Sequence, residues 1–210
     1  MNISVATTTD ARAMANLHAS RITEGFLPTL GVPFLTRLYR RVVLSPVAFA
    51  YTAREGDEVV GFVAVASDLG ALYRSFLLRD GVRAALPSLP AVVRSWRKAI
   101  ETLRYPSRTS GAALGTTVLP EAEVLAVAVA PAVAGQGVGA SLVRAACAEL
   151  HRRNVPGVKV VCGAGNAAAL ALYATCGFAV ATQVEVHGGV VSTVLVRLAP
   201  APGGAVVSNG

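Results

Sequence analysis

Cysteine is scarce in this chain: three residues, Cys147, Cys162 and Cys176, an odd number with no CxxC pair. That excludes a disulfide framework or a zinc cluster and suits a reducing compartment. Charge is thin too, at 15% of residues against 53% hydrophobic ones. A chain so composed can bury a sizeable core and is no disordered polymer, and 210 residues fit one domain. Long apolar runs are missing. The longest, Val124 to Ala134, is interrupted by Pro131 and falls short of the roughly 20 residues a bilayer requires. Asn2, Asp10 and Arg12 interrupt the region where a secretory signal would be continuously apolar. These absences lead us to expect a soluble, cytoplasmic protein with no membrane partner. Acids are outnumbered, twelve Asp and Glu against nineteen Lys and Arg, and the net charge of +7 hints at acidic ligands.

What is present has the order β-α-α-β-β, an insertion, then β-α-β-α-β-β. Ile3 to Thr7 reads as a strand, and Asp10 as the cap of a helix over Ala11 to Arg21. A Gly/Pro-rich turn leads to a second helix, Phe34 to Leu44, with Leu35, Leu38, Tyr39 and Val42 at helical spacing. Val47 to Arg54 and Val59 to Ser67 form a hairpin whose turn offers Gly56 for positive φ. The segment from about residue 70 to 109 differs in character: it holds eight of the basic residues, two of the acids, and enough apolar ones for two helices broken near Pro87 and Pro90. Glu123 to Val129 is a strand, Gly139 to about Arg153 a helix, and Val158 to Cys162 another buried strand. Asn166 caps a short helix that stops at Gly177, and a hairpin from Thr182 to Leu198 turns across His187, Gly188 and Gly189. The expected fold is α/β: a mixed, mostly antiparallel seven-stranded sheet flanked by helices, with a helical insertion between strands 3 and 4. Residues 1–198 would form the single domain, and 199–210 a flexible tail.

The apolar strand Val124 to Val129 runs into Ala134-Gly135-Gln136-Gly137-Val138-Gly139-Ala140, with a helix starting at once. Glycines permit close backbone approach, and the free amides of a helix N-terminus attract phosphate oxygens, so a pyrophosphate is the natural guest. Gly135-x-Gly137-x-x-Ala140 formally satisfies the dinucleotide fingerprint. However, Pro131 and its neighbours separate strand from glycines, and the acidic residue expected roughly 20 positions on is absent. Nor is there a Gly-Lys-Ser/Thr, which excludes a Walker loop.

The block Glu123 to Ala140, followed by Asn166-Ala-Ala-Ala169-Leu-Ala-Leu-Tyr173-Ala-Thr-Cys-Gly177-Phe178, resembles the GNAT superfamily of acyl-CoA-dependent N-acetyltransferases. Both halves of that family's signature occur, in order, with a strand between them, over about Glu121 to Phe178. One position departs: Ala134 stands where the family usually carries Arg or Gln, which leaves backbone amides and Gln136 to hold the pyrophosphate. The resemblance implies acetyl-CoA as acyl donor and no metal. Backbone groups of Val127, Ala128 and Val129 would bind the acyl carbonyl and pantetheine amides, which requires this strand to splay from its neighbour. Gly135, Gln136, Gly137, Val138, Gly139 and Ala140 would cradle the diphosphate.

Asn166 and Tyr173 are seven apart, close to two helical turns, so they share a face, with Ala169 between them small enough to let the pantetheine pass. By the same resemblance Tyr173 would protonate the leaving thiolate, and reference pKa values of about 10 and about 8.5 make that transfer feasible. Glu123, opening the strand, would take the amine's proton directly or through water, aided by a raised pKa; the bland alternative is a solvated strand end. Val161 stands where some relatives place a glutamate on the next strand. By the same resemblance His18 and Glu24 would fall in the region bordering the acceptor pocket, the alternative for His18 being a packed or solvated helix residue, while His151 and His187 read as surface residues and the cysteines as space-fillers. The basic insertion covers the acceptor site, steers an anionic acceptor, or touches nucleic acid, ranked in that order with nucleic acid unlikely. The acceptor is a small-molecule or protein amine, and a homodimer stays open. The expected activity is acetyl transfer from acetyl-CoA to a primary amine by direct attack. A non-catalytic acyl-CoA-binding module is the alternative from another class.

Overall fold

The computed structural model describes residues 1–23, 27–80, 119–186 and 190–199. Glu24, His187 and the turn around it, the insertion beyond residue 80 and the tail beyond 199 lie outside the described residues. The chain runs β1 (Asn2–Val5), α1 (Ala11–Arg21), a 3-10 turn (Leu27–Leu30), α2 (Gly31–Leu44), β2 (Ala48–Glu55), β3 (Glu58–Ala66) and α3 (Leu69–Arg79). After the insertion come β4 (Ala122–Val129), a 3-10 turn (Pro131–Val133), α4 (Val138–Arg152), β5 (Gly157–Gly163), α5 (Ala167–Thr175), β6 (Ala179–Val186) and β7 (Val190–Leu198). Expected and observed boundaries differ by about three residues at most, the largest shifts being the earlier starts of α2 and β6.

The seven strands form one sheet in the order β1-β2-β3-β4-β5-β7-β6, antiparallel everywhere except between β4 and β5. The β2–β3 hairpin closes Glu55 on Glu58 across a two-residue turn, with Gly56 at φ 57°. A side chain there would be strained, which is why the turn takes glycine. One face of the sheet packs on α4, through Val138, Leu142, Val143, Ala146 and Leu150 against Val63, Val65, Val124 and Val160. The opposite face packs on α1 and α2, through Met14, Ala15, Leu35, Tyr39 and Val42 against Ala50, Phe62, Ala64, Ala126 and Ala128. Leucines buried this deeply, such as Leu35 and Leu142, each contribute about 1.5–3 kcal/mol of transfer free energy.

Asp10 sits at the N-cap of α1, where its backbone carbonyl accepts from the Met14 amide but its side chain does not bond the helix. Its carboxylate instead accepts from the Thr7 amide and hydroxyl and pairs with Arg54 of β2, tying the start of the helix to the sheet. Asn166 does cap: its Oδ1 accepts the Ala169 amide at 3.0 Å. No helix among the described residues is long and apolar enough to cross a membrane.

Two irregularities position the site. Against β3, Ala64 pairs with Ala126 and Val65 with Val124, so Leu125 is an extra residue, a bulge in β4. Against β5, β4 pairs only at Ala122, Glu123 and Val124, opposite Val158, Lys159 and Val160. Beyond that point β5 continues beside β7 while β4 goes on with β3 alone. The strands part where the bulge lies.

Candidate active site

The opening between β4 and β5 is a wedge with cavities at both ends. One, of about 570 Å³, is lined by Val127, Ala128 and Val129, by Gly135, Gly137, Val138, Gly139 and Ala140, and by Asn166 and Ala169. The other, of about 320 Å³, shares Val127, Asn166 and Ala169 and is closed by Glu123, Tyr173, His18, Tyr39 and Tyr73. Among the described residues, the structure therefore brings together Glu123, Tyr173, His18 and the sequence-derived cofactor candidates except Gln136. That side chain turns back to donate to the Ala132 carbonyl at 3.2 Å and lines neither cavity.

The wide cavity is bordered by a glycine turn and the first turn of a helix. Gly135 and Gly137 both have φ 78°, and a side chain on either would meet nothing within 4 Å. Their conformation and not crowding demands glycine. Gly137 caps α4, whose first hydrogen bond runs from the Ser141 amide to the Gly137 carbonyl, so the amides of Val138, Gly139 and Ala140 have no partner within the helix. Among the described residues lining this cavity, Arg21 at the end of α1 is the one charged side chain. Nothing in the local pattern singles out Arg21, because its nearness to the glycine turn depends on how α1 lies across β4.

The narrower cavity gathers titratable groups in apolar surroundings. Glu123 is 8% exposed, and burial pushes its carboxyl up to about 7, with the Lys159 charge opposing part of that rise. The solvated strand end is thereby overturned: the sheet extends to Ala122, and α3 adds Tyr73 to the same cavity. Lys159, 1% exposed, lies beside Glu123 in register on β5. Its Nζ donates to the carbonyls of Pro120 at 2.6 Å and Glu121 at 3.4 Å and stands 3.7 Å from Glu123 Oε2, an ion pair without a hydrogen bond. Burial lowers the Lys159 pKa, the carboxylate counteracting it.

Tyr173 is 5% exposed, packs on Phe178 and has its pKa raised by burial and by neighbouring Cys162 and Cys176. His18 is 3% exposed; Nδ1 hydrogen-bonds the Tyr39 hydroxyl, and burial lowers its pKa to about 4. Cys162 lines this cavity as well, whereas Cys147 and Cys176 are buried elsewhere. His151 is exposed, as expected. Lys159 and Tyr73 escaped the sequence reading. A lone lysine inside the apolar run Val158 to Cys162 was the available signal for the first.

Residues 92–178 match the sequence model of the acetyltransferase (GNAT) family. Among solved structures, the chain is similar to a ribosomal-protein-alanine N-acetyltransferase from Brucella melitensis at 17% identity and TM-score 0.61, over 95% of this chain and all (100%) of that one. It is similar also to Arabidopsis thaliana NAA60 in complex with acetyl-CoA, at 16% identity and TM-score 0.58 over 94% and 97% of the two chains. A third likeness is to a spermidine N-acetyltransferase from Vibrio cholerae, at 14% identity and TM-score 0.56 over 94% and 95%. No curated protein matches. The fold is the GNAT fold, and the matched residues, those of an acyltransferase family, carry both glycine turn and capped helix.

Proposed function

We propose that this chain, with its GNAT fold and its acetyltransferase sequence over residues 92–178, moves an acetyl group from acetyl-CoA to a primary amine by direct attack. The observation that carries the reading is the parting of β4 from β5 after Val124, with the glycine turn at one end and a buried carboxylate at the other. The free edge of β4 at Val127, Ala128 and Val129 holds the pantetheine and polarises the thioester carbonyl. Amides of Gly135 to Ala140, with Arg21 as the nearby cation, hold the diphosphate. Asn166 spends its carbonyl on the cap, which leaves its NH₂ for the pantetheine.

Glu123 takes the proton of the incoming amine. A carboxyl with a pKa near 7 is matched to that task at neutral pH, being ionised for much of the time and still basic. Tyr173 donates a hydrogen bond to the departing sulfur. Its raised pKa keeps the phenol protonated, so its contribution is stabilisation of the developing thiolate more than a completed transfer. Tyr173→Phe should therefore lower kcat by about 10²-fold without weakening acetyl-CoA binding, read by thiol release and by calorimetry. An unchanged kcat would remove Tyr173 from the chemistry.

Lys159 acts through Glu123. Lys159→Met removes the charge that favours the carboxylate, so Glu123 holds its proton to higher pH. The activity limb should move up by about one pH unit or more. The carbonyls of Pro120 and Glu121 lose their donor, at a stability cost of about 1–3 kcal/mol measurable by urea unfolding. A limb that stays in place would show that Glu123 and Lys159 are not coupled.

A further inference from the structure

Two polar atoms on residues lining the 320 Å³ cavity are buried and make no hydrogen bond: Glu123 Oε2 and His18 Nε2. Buried polar atoms are nearly always paired, so His18 Nε2 points to a partner that the protein itself does not supply, and Glu123 Oε2, which Lys159 Nζ approaches only to 3.7 Å, keeps a hydrogen-bonding position unfilled. They come from different layers, β4 in the sheet and α1 above it, yet meet in one space whose remaining walls include Ile22, Leu27, Leu38 and Leu69. Their chemistry differs in sign. The carboxylate oxygen only accepts. At His18 the ring is neutral at neutral pH because of burial, and Nδ1 faces the hydroxyl of Tyr39. A phenol is a good donor and an imidazole nitrogen a good acceptor, so the Tyr39 proton goes to Nδ1 and the ring's own proton resides on Nε2. These two atoms thus present one acceptor and one donor, each desolvated and without a hydrogen bond.

Resting on the reading that this cavity receives the acceptor amine, we infer that the acceptor is an α-aminoacyl compound: an amine bearing an uncharged carbonyl oxygen, as in an aminoacyl amide or a peptide N-terminus. The amine meets Glu123 Oε2, and the carbonyl oxygen accepts from His18 Nε2. A free carboxylate in place of the carbonyl would put a second negative charge beside Glu123 and is disfavoured. A plain alkylamine leaves Nε2–H unpaired, a loss that polar sites convert into strong discrimination.

The test compares L-alaninamide, isopropylamine and L-alanine as acceptors of the full chain, by thiol release from acetyl-CoA, with rates referred to the unprotonated amine. L-Alaninamide should exceed both others in kcat/KM by at least about tenfold. His18→Ala should collapse that ratio to within about threefold, and His18→Gln, which retains a donor, should restore part of it. Folding of each variant is checked by its melting shift with coenzyme A. Equal efficiencies in the parent chain, or a ratio that survives His18→Ala, would overturn the inference while leaving acetyl transfer intact. If coenzyme A binds but no amine is acetylated, calorimetry with coenzyme A present decides: preferential binding of L-alaninamide supports the assignment and its absence overturns it. Failure to bind coenzyme A would overturn the underlying reading and this inference with it.

Discussion

Glu123→Gln is expected to lower turnover by roughly 10²–10³-fold at pH 8 and to leave acetyl-CoA affinity unchanged. The amide nearly preserves size and fills the same apolar corner but cannot take a proton. The pH dependence is the sharper part. In the parent chain activity should rise along a limb centred near pH 7, because only the ionised carboxylate is a base. In the variant that limb should vanish. Stability should respond with the opposite sign. The folded chain holds the Glu123 proton up to about 7, whereas an unfolded glutamic acid releases it near 4.5. Between those values the folded state binds more protons, so stability falls as pH rises and the loss is complete above about 7. Glu123→Gln should therefore gain stability relative to the parent at pH 8 and gain little at pH 4, read from urea midpoints. A variant that keeps the limb would place the base elsewhere.

Gly137→Glu should abolish coenzyme A binding, weakening it by at least about 100-fold, equivalent to about 2.8 kcal/mol. Two effects add. A residue with a side chain at φ 78° costs about 1–2 kcal/mol, and the new carboxylate would compete for the helix-start amides that the proposal gives to phosphate. Gly137→Ala separates them. Its side chain enters open space, so it should show the backbone cost alone and retain binding weakened only about tenfold. Glu and Ala variants that weaken binding equally would mean that geometry and not charge makes the cradle.

The architecture was legible because the sequence states it locally. Leu35, Leu38, Tyr39 and Val42 mark a buried helix face, Gly56 a tight hairpin, and Asn166 with Gly177 the two ends of a helix. The glycine turn that lines the wide cavity was equally legible, since Gly135, Gly137 and Gly139 lie within one turn of chain. The acceptor end was not. Glu123 reads as a strand end until the bulge at Leu125, α1, α2 and α3 surround it with His18, Tyr39 and Tyr73. Lys159 becomes its partner only through the parallel register of β4 on β5, which depends on topology and not on spacing. Gln136 shows the converse. Its place in the signature suggested a ligand for phosphate, but its side chain found a nearer acceptor in Ala132.

The most direct test is a calorimetric titration of the full chain with acetyl-CoA, followed by the same titration of Gly137→Glu. A wedge lined by free strand and helix amides should take up one equivalent per chain at micromolar concentrations, with the signal lost in the variant. No heat at millimolar ligand, or a variant indistinguishable from its parent, would contradict the assignment of this cleft.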